Sequence, residues 1–252
     1  MKYIVANPTE NITVLVTDSV SREKRNEITE KMFKEVPACE QVGYITGPVF
    51  SDSDIRLEMM GGEFCGNASL STAAYFARMK DLKPGESLDV TMECSGVSEA
   101  FTCSITALEN AGGSLYYTGT LAMPSPVKAE YIDGHPVIFL PGIAHMILPA
   151  DRFTRRQIEN NIKDYASKFD VDAFGVLRWD EEKQYMEPCV YVKGFETVIW
   201  EHGCATGSTC LGYYRYRSGG HASTDVRQPG GTISIRITDD RIYLTGNVEF
   251  IE

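Results

Sequence analysis

Two cysteines lie in nearly the same local sequence. Cys65 is followed by Gly-Asn-Ala-Ser and Cys204 by Ala-Thr-Gly-Ser, and a run of helix-forming residues comes after each. A cysteine at the start of a helix lies at the positive end of the helix dipole, which lowers the pKa of its thiol. The same turn leaves backbone N–H groups that can bind a carboxylate. Each segment therefore predicts a reactive thiol beside an anion site.

Two such segments on opposite sides of a bound amino acid could invert its Cα. One thiolate would remove the Cα proton while the opposite thiol returns a proton to the other face, and no cofactor is required. Helix-terminal N–H groups would stabilise the charge that develops on the carboxylate, most strongly in a site closed to water. From the residues alone, a thiol-redox pair or an amino-acid-binding module remains an alternative.

The other cysteines favour a packing role. Seven cysteines cannot all pair within one chain, and neither Cys-x-x-Cys spacing nor ligand spacing among the four histidines indicates a metal site. Met1-Lys2 leads directly into a strand-like run without a signal peptide, so we expect reduced thiols and a cytoplasmic protein. Free cysteine is among the most buried residue types. The five assigned to packing are Cys39, Cys94, Cys103, Cys189 and Cys210.

Charge and hydropathy exclude several partners. Twenty-four Lys and Arg against thirty-five Asp and Glu give a net charge of −11, which repels nucleic acid and anionic membranes. The longest apolar run, residues 137–150, is interrupted by proline and glycine and is shorter than the roughly 20 residues of a membrane helix. We therefore expect neither nucleic acid nor a membrane as a partner. The chemistry of the two cysteine segments makes a free amino acid the expected partner, and a homodimer remains open.

The hydrophobic pattern predicts an α+β fold. Predicted helices cover residues 21–33, with Ser21 as N-cap, and residues 69–79 and 154–169, and the segment 201–208 opens a further helix that runs through residue 214. Predicted strands cover residues 3–6, 12–17, 42–46, 55–60, 87–94, 99–107, 115–123, 137–139, 145–148, 175–179, 190–193, 232–238 and 242–245.

The chain repeats its cysteine segment. Both copies carry a serine four residues after the cysteine, Ser69 and Ser208, and a tyrosine ten residues after it, Tyr75 and Tyr214, and the cysteines are 139 residues apart. We therefore predict two pseudo-symmetric domains, residues 1–115 and 116–252, each a sheet or barrel wrapped around a central helix. The last strand is allowed to pack back on the first domain.

The residues around both cysteines resemble a known superfamily. Glu63-Phe64-Cys65-Gly66-Asn67-Ala68 and Cys204-Ala205-Thr206-Gly207 are similar to the two half-sites of the diaminopimelate epimerase-like, cofactor-independent amino-acid racemases. Further motifs extend the resemblance over the whole chain: Asn7-Pro8-Thr9-Glu10-Asn11, Gly142-Ile143-Ala144-His145, Gln228-Pro229-Gly230-Gly231 and Leu244-Thr245-Gly246. The resemblance implies that Cys65 and Cys204 are the paired acid and base.

Departures from the epimerase pattern indicate the branch. Ile143-Ala144-His145 and Phe174-Gly175 replace groups that hold the distal end of diaminopimelate, which argues against that substrate. Cys39-Glu40-Gln41-Val42-Gly43-Tyr44 and Ile199-Trp200-Glu201 are similar to histidine racemases of nicotianamine-like metallophore biosynthesis. That resemblance implies a substrate site made of Asn11, Glu40, Gln41, Gly66, Asn67, Glu201, Ala205, Thr206 and Gly207.

Other interpretations of these residues stay open. Glu58 is a further candidate for contact with substrate, and His145 fits a structural histidine better than a base. His202 either polarises Cys204 or makes a local turn contact, and Phe64 and Trp200 are expected to wall the pocket. Ala205, where the family has glycine, requires a negative φ. The alternative enzymes are a racemase of another polar or basic amino acid, diaminopimelate included, and an isomerase like those of phenazine biosynthesis.

Overall fold

The computed structural model describes residues 1–126, 128–238 and 241–251, which form two compact units. The first unit contains residues 1–60, 65–122 and 245–251, and the second contains the described residues of 61–64 and 123–244. Each unit is built around one of the two cysteine-led helices.

The described elements are sixteen strands and four α-helices. The strands are β1 (Tyr3–Pro8), β2 (Thr13–Val16), β3 (Gln41–Thr46), β4 (Ile55–Met59), β5 (Ser87–Cys94), β6 (Phe101–Glu109), β7 (Leu115–Met123), β8 (Lys128–Ile132), β9 (His135–Leu140), β10 (Ile143–Pro149), β11 (Ala173–Asp180), β12 (Tyr185–Val192), β13 (Thr197–Trp200), β14 (Ser223–Gln228), β15 (Gly231–Thr238) and β16 (Arg241–Ile251). The helices are α1 (Arg25–Glu35), α2 (Gly66–Met79), α3 (Arg155–Ser167) and α4 (Ala205–Gly219).

The first unit is an eight-stranded closed barrel with α2 as its core. Strands β1 to β7 and β16 are neighbours in that order, and β1 also pairs with β16, which closes the sheet. Helix α2 is buried along most of its length and contacts β1, β2, β4, β5 and β6. Helix and sheet approach closely at Gly119 on β7, where an added Cβ atom would lie 2.6 Å from Leu70 Cδ2.

The second unit places α4 on one face of its sheet and α3 on the other. Helix α4 contacts β9, β10, β11, β14 and β15, whereas α3 contacts β11 and β12. Ala144 and Met146 on β10 pack in one core with Ile158 and Ile162 of α3. Because side chains alternate along a strand, His145 between them faces away from α3. The α+β fold with a sheet around a central helix, predicted from the sequence, is confirmed.

Most predicted elements are present, but one helix cap, three missed strands and the bounds of several elements differ. Ser21 was expected to cap α1, but it precedes a 3-10 turn, makes no side-chain cap, and α1 begins only after Lys24. Strand β8 was missed because it is largely exposed, β13 because it is only four residues long, and β14 because most of its residues are polar. Strand β16 is longer than expected and ends at Ile251.

No helix in the described ranges is both long and apolar enough to cross a membrane.

The contact between Gly119 and α2 can be tested by adding one methyl group. Gly119→Ala would push its Cβ into Leu70 and Ile105, whose side chains are fully buried, and overpacking of this kind costs about 1–3 kcal/mol. We expect that loss in the free energy of unfolding measured with denaturant. Gly47→Ala is the control, because nothing lies within 4 Å of the added atom. Equal stability of the two variants would contradict this account of the barrel core.

Candidate active site

Cys65 caps the central helix of the barrel with its sulfur. It is the N-cap of α2, with extended backbone at φ −130° and ψ 114°, and its Sγ accepts the backbone N–H of Ala68 at 3.4 Å. A side chain in this position must turn back over the first turn of the helix. The thiol also donates a hydrogen bond to Gln41 Oε1 at 3.0 Å, so Cys65 and Gln41 are direct neighbours.

A chain of buried hydrogen bonds extends from Gln41. Its Nε2 donates to Asn11 Oδ1 at 2.5 Å and to Thr13 Oγ1 at 2.7 Å, and Asn11 Nδ2 donates to Glu40 Oε2 at 2.6 Å. These residues meet because β2 and β3 are parallel, so that the starts of both strands lie at the same edge of the sheet. The structure thus brings Asn11, Glu40 and Gln41 together with Cys65, as the resemblance implied.

Cys204 occupies the same position on the second unit. It is the N-cap of α4, its Sγ accepts the backbone N–H of Gly207 at 3.3 Å, and its side chain is buried. Its own backbone N–H donates to Gln228 Oε1 at 2.7 Å, and Gln228 Nε2 donates to Ser208 Oγ at 2.9 Å. Since α4 begins at Ala205 with right-handed helical geometry, the alanine that replaces a family glycine is accommodated.

The pKa of the Cys204 thiol is shifted in the direction opposite to the one that its place at a helix start predicts. Burial raises this pKa well above its usual value, and the carboxylate of Glu201, which accepts a hydrogen bond from the thiol, raises it further. Hydrogen bonds from Thr206 and from the backbone of Gly207 act in the other direction but are smaller. The lowered thiol pKa expected at this position is therefore not found, because the effect of desolvation and of Glu201 is larger than that of the capping hydrogen bonds.

His145 connects to Cys204 through Thr206. The Oγ1 atom of Thr206 lies 3.6 Å from Cys204 Sγ and 2.9 Å from His145 Nε2. Complete burial lowers the pKa of His145 to about 3, so its imidazole is neutral at ordinary pH and cannot act as a protonated acid. This agrees with the structural role expected for His145.

Several other candidates lie elsewhere in the two units. Glu58 forms ion pairs with Arg22, Arg25 and Arg56, which hold its pKa low against the opposing effect of burial. Trp200 packs on the α3 side of the sheet, and its indole N–H donates to Glu159 Oε1.

The five cysteines assigned to packing are all buried. Burial raises the pKa of the Cys39 thiol to about 11 and that of the Cys189 thiol to about 12. It raises the pKa of the Cys103 and Cys210 thiols as well. Thiols with such values are largely protonated and unreactive near neutral pH.

Sequence reasoning missed four polar residues near the cysteines. Thr13, Ser208 and Gln228 belong to the hydrogen-bond networks described above. Glu63, two residues before Cys65, is buried in the second unit, where burial and the nearby charge of Asp172 raise its pKa to about 7. Gln228 and Glu63 lie in motifs that carry the resemblance, which was the only available signal for them.

Within the described residues, no group of three or more His, Cys, Asp or Glu side chains is arranged to hold a metal ion.

The chain has an epimerase-like fold. A predicted epimerase from Pseudomonas aeruginosa superposes with a TM-score of 0.73 at 11% identity, covering 99% of this chain and 96% of that one. A phenazine biosynthesis protein of the PhzF family from Bacillus anthracis superposes with a TM-score of 0.65 at 14% identity, covering 100% and 98%. At these identities, the likeness shows the fold alone.

The family follows from the sequence comparisons. A family model described as the N-terminal domain of the histidine racemase CntK matches residues 1–250, and the chain belongs to this histidine racemase family. A histidine racemase from Fusobacterium nucleatum is 34% identical over all of this chain and 95% of the relative. A histidine racemase from Staphylococcus aureus is 26% identical over 95% of this chain and 89% of the relative. The resemblance inferred from the motifs is confirmed.

The neutral state of His145 predicts how stability depends on pH. The pKa of His145 is lower in the folded protein, about 3, than its usual 6.5, so the unfolded chain binds an additional proton below pH 6.5. This contribution to stability is complete above pH 6.5 and is lost as the pH falls, by about 2 kcal/mol at pH 5. In denaturant titrations, His145→Gln should lose less stability than the parent between pH 7 and 5. Parallel losses in the two proteins would contradict a neutral buried imidazole.

Proposed function

We propose that this protein is a histidine racemase in which Cys65 and Cys204 exchange the two protons of the reaction without a cofactor. The proposal rests on one observation above others: each unit begins its buried central helix with a cysteine whose sulfur caps the helix. Such a sulfur is held in place and has backbone N–H groups beside it. Membership of the histidine racemase family supports the choice of reaction and substrate.

The surroundings of the two thiols suggest different resting roles. Glu201 places a negative charge beside Cys204, which disfavours a thiolate and keeps this residue as the proton donor. Cys65 donates to the neutral amide of Gln41 instead. In the proposed reaction the Cys65 thiolate removes the Cα proton, and Cys204 transfers its thiol proton to the opposite face. The products are a Cys65 thiol and a Cys204 thiolate, which is the state required for the reverse direction.

Helix N-termini supply the proposed site for the α-carboxylate. The first-turn N–H groups of a helix have no partner within the helix and carry partial positive charge. The first-turn residues are Gly66 and Asn67 in α2 and Ala205, Thr206 and Gly207 in α4, and the N–H of Gly207 also donates to the Cys204 sulfur. A carboxylate bound there would be stabilised most when Cα loses its proton, because negative charge then spreads onto its oxygens.

Two carboxylates are proposed to bind the cationic parts of histidine. Glu40 is buried and accepts a hydrogen bond from Asn11, so its orientation is fixed before substrate arrives. Glu201 lies beside Cys204 and at the end of β13. Charge-assisted hydrogen bonds from an α-ammonium and an imidazole N–H would suit these two groups, with Asn11 and Gln41 maintaining the first of them.

The reaction predicts exchange of the Cα hydrogen with solvent. The protein, dialysed against a chelator and given no cofactor, should incorporate deuterium at Cα of L-histidine in D2O and produce D-histidine, as followed by NMR and chiral chromatography. A panel of single amino acids, with ornithine, lysine, arginine and diaminopimelate included, tests the substrate assignment. Exchange of another amino acid but not histidine would keep the reaction class and overturn the substrate, and no exchange at all would overturn both.

Each proposed base can be removed separately. Cys65→Ser and Cys204→Ser should each reduce racemisation by at least a thousandfold, because a serine hydroxyl is a much weaker acid than a thiol. Cys210→Ala is the matched control for Cys204, since Cys210 lies on the same helix and is fully buried. Cys103→Ala serves the same purpose for Cys65 within the barrel. Near-normal turnover by either serine variant would rule out the two-base mechanism.

A further inference from the structure

The hydroxyl of Thr206 lies between two groups that compete for its single proton. On one side is Cys204 Sγ at 3.6 Å, and on the other is His145 Nε2 at 2.9 Å. All three side chains are buried, so solvent does not decide the direction of these hydrogen bonds. The tautomer of His145, that is, which ring nitrogen carries the proton, therefore determines whether Thr206 donates to the imidazole or to the sulfur.

Donor counting favours donation to the sulfur. The Cys204 thiol proton is directed at Glu201, which leaves the sulfur as an acceptor for Thr206. Thr206 can then accept a hydrogen bond only if His145 carries its proton on Nε2. His145 Nδ1 is buried and has no hydrogen-bond partner among the described residues, and an orphaned N–H is less well tolerated in a protein interior than an orphaned acceptor.

Gly175 holds the imidazole in this position. It pairs with His145 across the parallel strands β10 and β11, and a Cβ atom at Gly175 would lie 2.0 Å from His145 Nδ1. The ring therefore occupies the space that any other residue at position 175 would fill, and its Nε2 is directed at the first turn of α4. Glycine is needed here to leave room for the imidazole, because the extended backbone of β11 would accept other residues.

We infer that His145 and Thr206 are positioning residues for Cys204: the neutral imidazole donates from Nε2 to Thr206, and the Thr206 hydroxyl donates to the cysteine sulfur. The importance of this for catalysis rests on the proposed racemase mechanism, in which Cys204 becomes a thiolate after its S–H bond breaks and the proton goes to Cα. A hydroxyl already directed at the sulfur stabilises that thiolate without rearrangement. The effect of Thr206 on the pKa of Cys204 is in the same direction.

The test compares the two cysteines within one protein and needs no substrate. Iodoacetamide reacts with thiolate, so the alkylation rate at fixed pH near 9 reports the thiolate fraction of each cysteine. Rates for the Cys65 and Cys204 peptides are measured by mass spectrometry, with Cys65 as the internal reference. Thr206→Val, which keeps the shape but removes the hydroxyl, should lower the ratio of Cys204 to Cys65 alkylation about tenfold. Thr206→Ser should restore it.

Variants of His145 separate the hydrogen bond from packing. His145→Leu should lower the ratio in the same way, whereas His145→Gln, whose amide nitrogen replaces Nε2 as a donor, should retain most of it. An unchanged ratio in Thr206→Val would overturn the inference. Faster alkylation of both cysteines would overturn it as well, because the hydroxyl would then only contribute to the packing that limits access of the reagent.

The protonation of His145 can be measured directly in the unaltered protein. In an imidazole-15N-labelled sample, Nε2 of His145 should resonate as a protonated nitrogen and Nδ1 as an unprotonated one, with assignment by loss of the signals in His145→Gln. The reverse pattern would overturn the inference even if every variant failed to fold. If the ratio and the tautomer are as expected but no amino acid exchanges its Cα hydrogen, the proposed function fails and the positioning of Cys204 stands.

Discussion

The capping of each central helix by a cysteine sulfur is the constraint on which the site depends. In both units the sulfur accepts the backbone N–H three residues ahead, from Ala68 in α2 and from Gly207 in α4. The bond holds each thiol over a helix start, and the surrounding sheet holds the helix. Burial of α2 inside a closed barrel leaves little freedom for the first turn. The thiol positions are therefore properties of the whole fold rather than of a mobile loop, as precise proton transfer requires.

The repeated sequence does not produce two equivalent thiols. Position two after the cysteine is Asn67 in one segment and Thr206 in the other. The Cys65 thiol donates to an amide oxygen, whereas the Cys204 thiol donates to a carboxylate. An amide cannot take up a proton, whereas a carboxylate can both accept a hydrogen bond and oppose the formation of a second negative charge. Local similarity therefore hides an electrostatic difference, and that difference assigns separate resting roles to Cys65 and Cys204 in the proposed reaction.

The sequence predicted what depends on local pattern and missed what depends on tertiary packing. The two central helices, α2 and α4, and the cysteine before each were predictable, because small residues and a capping turn mark them in the chain. Strand β14, largely exposed on alternate residues and flanked by glycine, carries no strong apolar signal. The raised pKa of Cys204 was also unpredictable, because it arises from burial and from Glu201. Helix dipoles are visible in sequence, but the depth of burial that outweighs them is not.

Donor counting gives the network beside Cys65 a fixed direction. Both N–H bonds of the Gln41 amide are used, one by Asn11 and one by Thr13, so only its oxygen remains to face the sulfur. The Thr13 hydroxyl is also committed, because it donates to the backbone oxygen of Asn11. Reversing the Gln41 amide would place its oxygen against two other oxygens, Asn11 Oδ1 and Thr13 Oγ1, in place of the two N–H donors. Two buried oxygens would then be left unpaired, which costs about 1–3 kcal/mol each.

The thiol proton of Cys65 is consequently held by an oxygen that cannot remove it. When that proton leaves, it must go to another group, and the sulfur left behind faces the carbonyl dipole of Gln41 on one side and the N–H of Ala68 on the other. The N–H of Ala68 can be donated to the sulfur in either protonation state, so the proposed proton transfer requires no movement of Cys65 away from the start of α2.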